Sequence, residues 1–139
     1  VFEPVYYDLC RSNIGDVAEV RPQAVHWSKG VAVFEVKGVG SRIALGGEKV
    51  AETVTFAEIL SFLTGRVAVK MDCEGCEESI LYTSCDMLRK AEEYIIEIHP
   101  WVSMESIINY MESCGFNVSP RLVYSSKHAI YHFRRSHQH

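Results

Sequence analysis

Short β-rich runs alternate along this chain with stretches whose apolar residues recur at helical spacing. Phe56, Ile59, Leu60 and Leu63 fall at i, i+3, i+4 and i+7, which gives a helix one apolar stripe. Thr55 and Glu58 form a T-x-x-E capping box ahead of it, Val54 and Ile59 occupy hydrophobic-staple positions, and Gly65 ends it. Met104, Ile107, Ile108 and Met111 repeat the same spacing, with Ser103 as the cap and Gly115 at the left-handed C-cap position. Residues 5–13 predict a helix closed near Gly15, and residues 77–82 and 86–91 a helix broken near Ser84.

The strands read with a period of two. In residues 66–72, Val67, Val69 and Met71 point to one face while Ala68, Lys70 and Asp72 point to the other. Residues 94–99 are mostly apolar, as a central strand should be. Residues 20–25 read as a strand at a sheet edge, because Pro22 cannot donate to a ladder on both sides. Residues 31–36 predict a further strand, followed by a loop punctuated by Gly38, Gly40, Gly46 and Gly47. Residues 116–124 and 129–134 predict an antiparallel hairpin joined through Ser125, Ser126, Lys127 and His128. The opening residues Val1 to Pro4 read as the end of a strand. The whole pattern predicts one α/β domain over residues 1–139 with a largely parallel sheet, in which the strand ending at Asp72 is central.

Composition narrows the class. With 139 residues and 47% hydrophobic content, one sizeable core is expected. A net charge of −4 supplies no basic footprint for nucleic acid or anionic lipid. No apolar run is long enough to span a bilayer and no leader pattern opens the chain, so a cytoplasmic protein is the default expectation. Five cysteines without a secretory signal read as free, mostly buried thiols. Cys73 and Cys76 form a lone C-x-x-C, with no second such pair and no histidines at zinc-finger spacing, so neither metal nor redox chemistry is assigned to them. His137 and His139 read as a terminal tail able to bind metal only adventitiously.

Ligands of open α/β sheets bind outside the carboxyl ends of the strands. Three predicted strands end in polar groups there: Glu3, then Asp72 with Glu74, then Glu97 with His99. Taken singly, each is as well explained as a solvated acid or a helix cap. Together they converge on one crevice. Lys70, two residues before Asp72, needs a carboxylate partner or a solvated end.

KMDCEGCE (residues 70–77) resembles the lysine–apolar–Asp–x–Glu–Gly–x–Glu signature of FkbM-type methyltransferases. FEP at 2–4, Lys29-Gly30, VTFAEIL at 54–60, EIHP at 97–100 and Gly115-Phe116 follow that family's order. The resemblance implies a Rossmann-like methyltransferase sheet with a C-terminal antiparallel hairpin, lacking the first strand and its Gly-rich loop. It implies methyl transfer from S-adenosylmethionine to a hydroxyl of a small molecule or sugar. Glu3 would hold the ribose hydroxyls, Ala24 and Val25 would lie by the adenine, and Asp72 would approach the transferring methyl. Asp72, Glu74, Glu97, His99 and Lys70 would form the catalytic side, with a carboxylate or His99 as general base. Without the Gly-rich loop, cofactor binding is expected to be weak. The competing expectation is an inactive remnant of such a domain that dimerises or binds a partner through exposed sheet edges.

Overall fold

The computed structural model describes residues 4–35, 42–43, 47 and 49–136, which form an α/β arrangement with two mixed sheets. Helix α1 (Pro4–Ile14) opens the described chain and buries none of its residues. The first sheet comprises β1 (Ala24–His26), β2 (Gly30–Glu35), β3 (Arg42–Ile43) and β4 (Lys49–Thr55), in the order β1-β4-β2-β3. Its own core is small: Ala24, Ala32, Phe34 and Ala51.

Helix α2 (Phe56–Phe62) leads to the second sheet. Thr55 caps it, and both halves of the predicted capping box form: Glu58 N–H donates to Thr55 Oγ1 at 3.1 Å, and Thr55 N–H to Glu58 Oε2 at 3.1 Å. Phe56 and Leu60 are buried as the stripe requires, whereas Leu63, just past the helix, is exposed. Strand β5 (Ala68–Met71) follows, then a 3₁₀ helix (Cys76–Tyr82) and α3 (Cys85–Leu88) capped by Ser84. The expected break near Ser84 is there, but the first half winds as a tighter 3₁₀ helix. Strand β6 (Glu93–Ile98), α4 (Met104–Ser113) capped by Ser103, β7 (Phe116–Ser125) and β8 (His128–Arg135) complete the chain.

The second sheet runs β5-β6-β8-β7, with β6 parallel to β5 and β8 antiparallel to both β6 and β7. Even-numbered residues of β6 (Tyr94, Ile96, Ile98) face a core shared with Phe133, Ile107, Met111, Leu60 and Leu88. Tyr94 donates its hydroxyl to the Leu88 carbonyl at 2.7 Å, and burial pushes its phenol well above the ordinary range. The odd face of β6 carries Glu93, Ile95 and Glu97 and is half open.

Several expectations need correction. The sheets are mixed rather than largely parallel: only β1–β4 and β5–β6 run parallel, because the short β7–β8 link permits only an antiparallel return. Among the described residues, β5 lies at a sheet edge and not at the centre; β6 and β8 are the inner strands. The edge position of the strand containing Ala24 and Val25, and the C-terminal antiparallel hairpin, are as expected. The cysteines are not mainly free thiols. Cys73 pairs with Cys76 across a turn, Cys85 pairs with Cys114 where α3 begins and α4 ends, and only Cys10 is free. No helix among the described residues is long and apolar enough to cross a membrane.

Candidate functional site

Parallel pairing of β5 and β6 sets Met71 beside Ile96, so the residues that follow leave the sheet on one rim. Asp72, Glu74, Glu97 and His99 therefore share that rim, as the sequence suggests. Glu3 lies outside the described residues.

The turn after β5 is tightly shaped. Glu74 adopts a left-handed φ of 54° and Gly75 a φ of 117°. The backbone at Gly75 favours glycine, and a side chain there would also press on the Trp101 indole at 3.0 Å. The Cys73–Cys76 disulfide closes the base of this turn, with the two Cα atoms 5.4 Å apart. The turn folds its amides inward onto Glu77, whose carboxylate is fully buried. A buried carboxylate is costly unless its lone pairs are satisfied. Here Oε2 accepts from the Gly75 amide at 2.7 Å, and Oε1 from the Cys73 amide at 3.5 Å and from His99 Nδ1 at 2.6 Å.

In a neutral His99 with Glu77 as acceptor, Nδ1 carries the proton and Nε2 the lone pair. The His99 ring is buried and stacked between Trp101 and His128, with centroids at 5.4 and 5.2 Å. Its Nε2 faces Glu74 Oε1 at 3.4 Å and Asp72 Oδ1 at 3.9 Å. Three acceptor atoms thus point at one another, an arrangement that calls for a proton or a cation between them. Lys70 reaches Asp72 Oδ2 at 3.4 Å from the outer side, its chain largely in solvent. Glu97 pairs with His128, whose Nε2 lies 2.8 Å from Glu97 Oε1. Donor atoms of Glu97, His99 and His128 all lie within 4.8 Å of one another.

All five residues expected on the catalytic side are therefore brought to one rim. Ala24 and Val25 are not part of it. They lie on β1 in the other sheet, Ala24 buried in the small core and Val25 packed against the large one. At the end of β1, His26, Trp27, Phe56 and Tyr82 line a shallow pocket, with the Trp27 and Tyr82 rings 5.7 Å apart.

Two residues central to the site carry no role in the sequence reading. Glu77 stands in the quoted signature, and a carboxylate three residues after Glu74 was the available signal; its burial under the turn was not. His128 reads as hairpin linker, and only the β6–β8 register sets it opposite His99.

No protein-family model, curated protein or solved structure matches this chain.

Proposed function

We propose that the chain is the acceptor-side part of an FkbM-type methyltransferase domain that transfers a methyl group from S-adenosylmethionine to a hydroxyl of a small molecule or sugar. The observation that carries this reading is the His99–Glu77 pair, whose Nε2 faces the carboxylates of Asp72 and Glu74 at 3.9 and 3.4 Å, outside the carboxyl ends of two parallel strands. Such a pair fits a general base: Glu77 holds the ring and its tautomer, and Nε2 takes the proton of a hydroxyl placed against it. Asp72 and Glu74 orient that hydroxyl, and Lys70 offsets part of the charge. The cofactor, when bound, supplies an activated methyl group. Most of the remaining catalysis is positioning.

The cofactor side has less support. Asp72 is at the rim, but Ala24 and Val25 offer adenine little exposed surface, and the rings of Trp27 and Tyr82 next to them are the better aromatic platform. Weak binding by this chain follows. Residue-resolved NMR titration with S-adenosylmethionine tests it. Shifts at Ala24 to Trp27 and Asp72 to Gly75 that appear near millimolar cofactor and are reproduced by S-adenosylhomocysteine are expected. An unchanged spectrum at those concentrations would end the reading.

The open edge of β5 and a helix α1 with no buried residue favour a second reading, an inactive methyltransferase-like module that forms a homo-oligomer or binds a partner. It predicts concentration-dependent association without any cofactor response. In either case the acidic balance leaves nucleic acid and membrane surfaces as poor partners. Two disulfides favour an oxidising compartment over the cytoplasm.

A further inference from the structure

We infer that Glu97, His99 and His128 form a binding site for a divalent transition-metal ion of the zinc class. Two imidazoles and one carboxylate are a donor set suited to zinc, and three protein ligands leave a coordination position open. The site is built by strand geometry. Glu97 lies on β6 and His99 just past its end, and the antiparallel β8, which pairs Ile98 with Ala129, brings His128 to His99 with ring centroids 5.2 Å apart.

Three further observations point the same way. The buried Glu77 holds His99 through Nδ1, the outer carboxylate that typically orients a metal-bound imidazole and leaves Nε2 free to ligate. Nε2 of His99 then faces carboxylate oxygens of Glu74 and Asp72 at 3.4 and 3.9 Å, acceptors that a cation would reconcile. Asp72, Glu74, Glu77 and Glu97 put four carboxylates around the cluster, and the ammonium of Lys70 offsets one of them. The potential there favours a cation.

Ligands about 2.0–2.1 Å from a tetrahedral ion stand roughly 3.3 Å apart. The 4.8 Å spread of these donors closes by side-chain rotation at Glu97 and His128, which are partly exposed, while His99 stays held by Glu77. The ion's open position would face Asp72 and Glu74, where a water or an alcohol oxygen could bind. The inference stands apart from the methyltransferase reading and competes with it at one atom, because an Nε2 lone pair that binds the ion cannot also take a proton from an acceptor hydroxyl.

The test is calorimetric titration of the oxidised, chelator-stripped chain with Zn2+ alone, in a background carrying Cys10→Ser, His137→Ala and His139→Ala. One site per chain of micromolar affinity or tighter is expected. His128→Ala and Glu97→Gln should each weaken it at least about a hundredfold, and Glu77→Gln by about 10–100-fold, the range for an outer-shell partner. His132→Ala should leave it unchanged, since His132 pairs with Glu93 further along the same face. Far-UV circular dichroism checks folding. Should Glu77→Gln not fold, Glu97→Gln and His128→Ala, both at partly exposed positions, decide alone. Absence of binding at millimolar Zn2+, or tight binding that survives the double change of Glu97 and His128, would overturn the inference.

Discussion

The two sheets are built to different standards. The first is held by three alanines and one phenylalanine, and Val31, Val33 and Val50 on its strands remain exposed. The second closes over Tyr94, Phe133, Ile96, Ile98, Ile107 and Met111, all with no exposed surface, and a disulfide ties the two helices that cover it. The site stands on the second. A base or ligand held within tenths of an ångström needs neighbours that cannot move, and only the densely packed sheet supplies them. Small side chains in the first sheet bury little area, and each Å² of apolar surface is worth about 25 cal/mol.

The strongest way to break this contrast is to truncate one phenylalanine in each sheet. Phe133→Ala should cost about 3–5 kcal/mol by denaturant unfolding. Phe34→Ala, with only alanines beside it in its core, should cost about 2 kcal/mol, close to the transfer term alone. Equal losses would show that the first sheet is packed as firmly as the second. Next in size, changing Cys85 and Cys114 together to alanine removes a cross-link spanning 29 residues. Loop-closure entropy puts that at about 3–4 kcal/mol. Amide hydrogen exchange should quicken in β6 and β8 and stay unchanged in β1 and β4. Uniform acceleration would mean the sheets unfold as one unit.

The smallest effect sharpens the comparison at the junction of the sheets, where β4 runs into α2. Thr55→Ala should lower stability by about 1 kcal/mol, measured by thermal unfolding. Glu58 carries an acid signature as well. Its carboxyl is held below the usual range, first by the hydrogen bond from Lys29 and then by the Thr55 amide. A depressed folded-state pKa stabilises above the unfolded value and is lost as pH falls through the folded one. Lys29→Met, which removes the first of these contacts and leaves the Thr55 amide in place, should therefore flatten the acid limb of the stability curve; an unaltered limb would show that the amide alone sets it.

Much of this architecture is legible in the residues themselves. The Thr55–Glu58 box, the Ser103 cap, the left-handed Gly115 and the apolar run of β6 each depend on neighbours a few positions away, where periodicity and capping act. The convergence of Asp72, Glu74, Glu97 and His99 is readable too, because parallel strands put their carboxyl ends on one rim. Lys70 follows from its place before Asp72.

What the residues alone do not carry is who meets whom across the fold. That β5 is an edge strand depends on which strands pair, a choice made by total buried area and not by the apolar content of any one run. Cys85 finds Cys114 only because the fold brings the start of α3 to the end of α4. Glu77 looks like any surface acid until the left-handed turn at Glu74 and Gly75 buries it under two amides and a histidine. His128 is a linker residue until β8 inserts between β6 and β7. Local rules, then, placed the carboxylates on their rim. Long-range pairing, whose free energy no short window of sequence contains, decided which histidine they would face and which would stand beside it.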